Sequence, residues 1–498
     1  MADPDDALAA RVRHPRGLYV LYLTELWERF SFYGMKALLV LYLNSGALSP
    51  ERMPRMAGYS AIVAIWGQPQ SKEEVQALSS QLNELYAGAA YLTPLAGGAI
   101  ADAFCGPRAT MVVGGLLMAA GHACLATELL FLIGLLLLVV GNGGFKPNIS
   151  AQLAQLYDPP GPAQLRDRGF AIFYTGINVG ALLAPLVCGA VQQSAGYHAG
   201  FFVAAIGLLV GLATYFAGVR YLPRDAGRRR ADGRRPTHDP WRLSQAAALF
   251  GICTLVMPFW ACHEQMGNTL PLFFQDLTDR TMPGGAVVPS AWLQSVNPLG
   301  CVVMLPLLTN LWARQAERGA ELSPVAKMAL GAALQAVAWA MLALGAVGAT
   351  PEHKASMLLL IVAVLLLTVG ELYLSPVGLA FTARCVPPHA RSTAIGFWFI
   401  AMGAAGPLAG WLGTLYSAMS MPAYFGLLAA VCAADAAALC LARGRLQRSA
   451  ASGESEPFCP PADSPDAARP SAESGKIEMP GYGTLREGGG SRGGGLQP

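Results

Sequence analysis

The chain has 498 residues, 54% of them hydrophobic and 13% charged, and its mean hydropathy of +0.41 is too apolar for an ordinary water-soluble enzyme. The formal net charge of +3 says little about partners, so the informative quantity is where Lys and Arg fall along the chain. The 10 Cys lie mostly in apolar runs without metal-ligand or disulfide spacing and read as packing residues, so neither metal nor cofactor is expected.

A helix needs roughly 20 residues to cross a hydrocarbon core of about 30 Å, and alternating barrel strands are absent. Apolar runs predict twelve helical spans at 18–43, 78–101, 110–127, 129–153, 170–191, 201–221, 243–274, 291–312, 325–347, 355–379, 393–416 and 424–441. The first is read as a retained span, since its apolar run is too long for a cleavable leader. The expected class is an all-α polytopic membrane protein.

With Arg11, Arg13 and Arg16 placed in the cytoplasm, the cytoplasmic connections carry Arg108, Arg166, Arg168, Arg314, Arg318, Arg384, Arg391, Arg443, Arg445 and Arg448. The opposite connections hold few cations: Arg52, Arg55, Lys72, Arg280 and Lys354. This bias puts both termini inside.

Five segments are expected: a tail at 1–17, a six-helix bundle at 18–221, a basic linker at 222–242, a second bundle at 243–441, and a tail at 442–498. The linker, with Arg224, Arg228, Arg229, Arg230, Arg234, Arg235 and Arg242, reads as a solvated topology anchor rather than a nucleic-acid site. The last segment is too rich in Ser, Pro, Gly and Glu to bury a core and is expected to be disordered. Within it, Tyr482 to Leu485 match a tyrosine-based sorting pattern that chance often supplies.

A charge at the bilayer centre costs about 2.5–3.5 kcal/mol, so each one needs a partner, a wet cavity or a function. The first span holds Glu25, Glu28, Arg29 and Lys36. Helical spacing sets Glu25, Arg29, Tyr33 and Lys36 on one stripe. Glu25, Glu28 and Arg29 either neutralise each other structurally or face an aqueous path, and Lys36 is left over on the same stripe. Further spans hold Glu84, Lys146, Glu264 and Glu371. A cation on one half and a carboxylate on the other, Lys36 or Lys146 with Glu264 or Glu371, form either permanent bridges or pairs that break as the halves rock. Losing a cationic partner favours proton uptake by a buried carboxylate, which would couple protons to the cycle.

Tyr91, Tyr174 and Asn178 offer polar groups to the same cavity. Trp260 and Trp398 line either a pocket or the core, and His263 reads as a packed neutral imidazole in preference to a relay. The run from Gly98 to Arg108 looks like the loop motif of the major facilitator superfamily, in which Asp102 and Arg108 lock helix ends.

These residues resemble the proton-dependent oligopeptide transporter family. The signature in the first span is similar to Glu25, Glu28, Arg29 and Phe32-Tyr33-Gly34, and that of the fifth to the run from Phe173 to Asn178. Further likenesses are Tyr91 to Pro94, Gly144 to Asn148, Phe259 to Gln265, Asn297-Pro298 and Gly370 to Gly378. The resemblance spans 18–441 and implies the major facilitator fold of two six-helix bundles. It implies proton coupling by Glu25, Glu28, Arg29, Lys146, Glu264 and Glu371. It implies a substrate site of Arg29, Tyr33, Lys36, Tyr91, Lys146, Tyr174, Asn178, Trp260, Asn297, Glu371, Ser375 and Trp398, in which Arg29, Lys36 and Lys146 face a peptide carboxylate and Glu371 with Asn297 holds the amine. Lys36–Glu264 and Lys146–Glu371 would be the two pairs between the halves. Three departures stand out: Lys36 replaces the usual Arg, Glu84 stands where intestinal-type members have His, and the linker is too short for two extra helices.

The expected function is proton-coupled symport of di- and tripeptides, with protons as the coupling ion, lipid as the surroundings and no enzymatic activity. The alternatives are a carrier of another zwitterion or anion, such as histidine or nitrate, and a nutrient-sensing scaffold. The cell membrane is the expected location, with an endolysosomal membrane second.

Overall fold

The computed structural model describes residues 14–157, 163–223, 243–386 and 391–451. Most of the basic stretch at 222–242, the first 13 residues and the tail with its Tyr482 pattern lie outside the described residues. The helices are α1 Arg16–Tyr42, α2 Tyr59–Trp66, α3 Lys72–Ile100, α4 Gly106–Leu125, α5 Phe131–Gln155, α6 Ala163–Ala195 and α7 Tyr197–Gly218. Then come α8 Leu243–Leu255, α9 Met257–His263, α10 Leu270–Asp276, α11 Val296–Glu317, α12 Pro324–Gly345, α13 Met357–Arg384, α14 Arg391–Ala418 and α15 Met421–Ala451.

Ten stretches are long and apolar enough to cross a membrane. One of them, Lys72–Leu125, holds both α3 and α4, and the charges of α1 keep that helix off the count. Twelve passages result among the described residues, as the apolar runs predict, and the chain is a multi-pass membrane protein.

The differences from the predicted spans have local causes. Helix α3 starts six residues before the predicted Leu78 because Ser71 caps it: its hydroxyl accepts from the Glu74 N–H at 3.2 Å, while the Glu74 carboxylate accepts from the Gln70 N–H at 2.6 Å. The seventh passage, read as one helix over 243–274, is three. Pro258 and Pro271 stand at the starts of α9 and α10, and a tight 3₁₀ turn at Glu264–Met266 separates those two helices. Helix α2 falls in a connection where none was expected, and its Ile65 and Trp66 are exposed. Internal prolines in α3, α5, α6, α11, α13 and α14 are tolerated because neighbouring helices serve the freed backbone groups.

Small residues let the two halves touch. A Cβ on Gly88 of α3 would stand 2.7 Å from the Gly403 oxygen of α14, and one on Gly406 would stand 2.8 Å from the Glu84 oxygen. In lipid, where apolar burial gives helices little drive to associate, such backbone approach is a main source of packing energy.

Passage by passage, α1 begins and α15 ends at the same end of the bundle, the end from which the 222–242 stretch also leaves; we call it the linker end. At the opposite end the halves are tied together. Trp292 Nε1 donates to the Leu186 carbonyl and Ser295 Oγ to the Leu182 carbonyl, both at 2.9 Å. Gln76 Nε2 donates to the Gly413 carbonyl at 3.0 Å.

Candidate functional site

The charged stripe of α1 lies within protein. Glu25, Glu28 and Arg29 are each at most 3% exposed, which excludes a lipid-facing role. Arg29 Nε pairs with Glu28 Oε2 and lies 3.3 Å from Glu25 Oε1, and a second guanidinium nitrogen donates to Glu28 Oε1 at 2.6 Å. One cation thus faces two carboxylates. Lys146 of α5 is within electrostatic reach of all three and balances the sum. Its own ammonium sits 5.2 Å over the Tyr91 ring, and it makes no ion pair among the described residues.

Two turns along α1, Lys36 Nζ meets Glu264 Oε2 at 2.9 Å, joining the first half to the second. This is the inter-half pair that the resemblance implies. Glu264 opens the 3₁₀ turn that follows α9. Both side chains are largely withdrawn from solvent, so removing either partner alone would strand a buried charge at a cost of about 3–5 kcal/mol.

The other expected pair is not formed in this structure. Glu371 of α13 accepts from Asn297 Nδ2 at 2.8 Å and lies 3.5 Å from His263 Nε2, while Lys146 is not among its partners. Asn297 is itself held by α13, where its amide also donates to Thr368 Oγ1 at 3.1 Å.

Between these groups lies a cavity of about 110 Å³. Tyr33 and Lys36 enter it from α1, Tyr91 from α3, Trp260 from α9, Asn297 from α11 and Glu371 from α13. This volume alone falls below the range of small-molecule sites. Tyr91 also borders a second cavity of about 320 Å³, walled by Lys146 of α5 and by Ile395 and Phe399 of α14. The two share a wall residue and step from the middle of the bundle toward the linker end. The second cavity by itself reaches the lower end of the range of small-molecule sites.

Other expected site residues stand apart from the central cavity. Trp398 is 1% exposed and fills the space beside Gly378, within a cluster that includes Met328 and Leu374. Its ring is packed into the second bundle, so it does not line the cavity. Ser375 lies one turn beyond Glu371 without bordering the cavity. Tyr174 is half exposed, and the Asn178 amide donates to the carbonyl of Tyr174 in its own helix at 3.0 Å. Glu84 is fully buried; its Oε1 accepts from Asn83 Nδ2 at 2.8 Å, and its Oε2 has no partner among the described residues. The contact of His263 with Glu371 and the part of Gln335, bonded to His263 Nδ1 at 2.8 Å, were not read from the sequence. A lone Gln in an apolar helix gives no signal by itself.

Comparison with known proteins agrees with this geometry. The chain is 30% identical over 473 residues to the uncharacterized transporter YclF of Bacillus subtilis, covering 83% of this chain and 91% of that one. It is 30% identical over 461 residues to a di-/tripeptide transporter of Lactococcus lactis, covering 78% and 86%. A crystal structure of the peptide transporter POT in complex with sulfate superposes with a TM-score of 0.74 at 26% identity, covering 88% of this chain and 96% of that one. The sequence model of the POT family matches residues 108–227 and 239–427, well over half the chain. With twelve passages, charges buried between two halves and these matches together, the chain belongs to the POT family of transporters.

Proposed function

We propose that this chain carries di- and tripeptides together with protons, by rocking two helix bundles about the central cavity. The observation that carries the reading is the separation of opposite charges across that cavity, with the Lys36 and Lys146 ammonium groups on one half and the Glu371 carboxylate on the other. A short peptide has a carboxylate and an ammonium at a nearly fixed spacing, so such a site clamps both termini and leaves the side chains to Tyr33, Tyr91 and Trp260. A lone anion would meet Glu371 with repulsion, which disfavours nitrate. The Lactococcus relative, a di-/tripeptide transporter, supports the same choice.

The coupling follows from shared cations. In this structure Lys146 lies near the Glu25, Glu28 and Arg29 cluster without pairing with it, and Glu371 is held by Asn297 and His263. If the linker end closes, Lys146 is drawn to Glu371 and the cluster of α1 is left with one cation for two carboxylates. A proton taken up there restores neutrality. Proton entry and closure of the linker end would then proceed together.

We read the linker end as cytoplasmic from the positive-inside distribution, and on that reading the cavity beside Lys146 faces inward. The cell membrane is our choice of location, with an acidic organelle second, since inward proton flow serves in either.

The test is uptake of labelled dialanine into proteoliposomes with and without an inward proton gradient. Gradient-driven accumulation, lost in Glu371→Gln and in Glu28→Gln, supports the reading. No accumulation by correctly inserted wild-type protein overturns the peptide assignment.

A further inference from the structure

Two consecutive residues at the break of the seventh passage face two different helices. Glu264 meets Lys36 of α1, and His263 turns to Glu371 of α13. The imidazole is 6% exposed, stacks nearly parallel on Phe259 at 5.8 Å between ring centres, and meets Trp260 edge-on at 5.5 Å. Its Nδ1 lies 2.8 Å from the amide nitrogen of Gln335, whose oxygen accepts from Cys432 Sγ at 3.3 Å. An amide nitrogen has only hydrogens to offer, so Nδ1 accepts. The single proton of the neutral ring then sits on Nε2, aimed at Glu371.

Both contacts to Glu371, Asn297 Nδ2 donating at 2.8 Å and His263 Nε2 at a longer 3.5 Å, fall on the same oxygen, Oε2. Among the described residues Oε1 takes no hydrogen bond. We propose that His263 is a positioning residue for Glu371: with Asn297 it holds Oε2 in place and so presents Oε1 to the ammonium group of the substrate. This rests on the peptide reading and deepens it, because it makes the free amine the group this half of the site selects. A substrate with a blocked amine brings no cation to Oε1 and gains nothing from the orientation. Gln335 acts one step further out, fixing the tautomer that points the proton at Glu371.

The test uses the full chain and two variants. His263→Phe keeps the ring and its stacking on Phe259 and removes the donor; His263→Gln returns a donor. For dialanine uptake, His263→Phe should raise KM roughly tenfold with kcat within about twofold. Inhibition by N-acetyl-dialanine should be unchanged, and His263→Gln should recover part of the loss. An equal change for free and blocked peptides, or none for either, would overturn the proposal.

A second measurement needs no substrate. The chain has 7 His, so the ¹⁵N-histidine NMR signal that disappears in His263→Phe identifies the residue. It should report an Nε2-protonated neutral ring and shift in Glu371→Gln. A signal indifferent to that change refutes the positioning role whatever the protein carries. A responsive signal in a protein that takes up no dipeptide places the fault in the peptide reading and overturns the amine assignment with it.

Discussion

The two cation–carboxylate pairs expected between the halves are in opposite conditions. Lys36 and Glu264 are joined at 2.9 Å, on the same side of the cavity as the Trp292 and Ser295 ties. Lys146 and Glu371 each have other company, with cavity space beside Lys146 toward the linker end. The same chemistry is thus closed on one side of the cavity and open on the other. Each pair stores its Coulomb energy only when the halves meet on its side, so two pairs at two levels make a rocker whose ends compete. The difference teaches that the charges are not all structural cement, because four permanent bridge partners would all be engaged at once.

The largest effect is expected at the buried cluster of α1. Arg29→Leu strands Glu25 and Glu28 without their nearest cation, at a cost of about 3–5 kcal/mol. Thermal unfolding in detergent should show a lower midpoint, and gradient-driven uptake should be lost; wild-type stability would break the view that Arg29 neutralises both.

Next in size is the closed pair. Lys36→Gln or Glu264→Gln should cut uptake by roughly tenfold or more, and the exchange Lys36→Glu with Glu264→Lys should recover much of it, as expected for residues whose effects couple. If the exchange is worse than either single change, their attraction is not what matters.

The seam between the halves offers a smaller handle. Gly406→Ala would press a methyl against the Glu84 carbonyl, 2.8 Å from the ideal Cβ, and overpacking of this kind costs about 1–3 kcal/mol. Lower stability and slower turnover with an unaltered KM are expected from chemical denaturation and uptake kinetics. A raised KM instead would place the seam in the substrate site.

The smallest effect should come from Trp398. Buried against Gly378 and outside the cavity, Trp398→Phe should leave the KM for dialanine within about twofold while lowering stability modestly. A tenfold rise in KM would return Trp398 to the pocket.

Much of this was legible in the sequence because lipid imposes a simple code. Apolar length located the passages, and the rarity of charge inside them singled out Glu25, Glu28, Arg29, Lys36, Lys146, Glu264 and Glu371. Pairing by sign left Lys36 or Lys146 to meet Glu264 or Glu371, and only the family resemblance singled out Lys36 with Glu264. The breaks at Pro258 and Glu264–Met266 were hidden because proline within lipid is permitted where neighbours supply the missing bonds. Trp398 was ambiguous because an aromatic ring suits a pocket and a core equally. His263 was read as a packed neutral ring, and nothing local to it announced that its free nitrogen would reach a helix more than 100 residues away. The open condition of Lys146 and Glu371 is a property of one state in a cycle, and a sequence encodes every state of the cycle together.

The most direct test of the account is a pair of distances. After replacing Cys459 and the exposed Cys105 and Cys440, spin labels at Phe104 and Phe397 report the linker end, and labels at Ser45 and Ala418 the opposite end. Pulsed electron resonance on the wild type and on Glu264→Gln should show the opposite-end distance lengthening as the linker-end distance shortens. Both distances unchanged, or both moving in the same direction, would contradict a rocker held by two competing charge pairs.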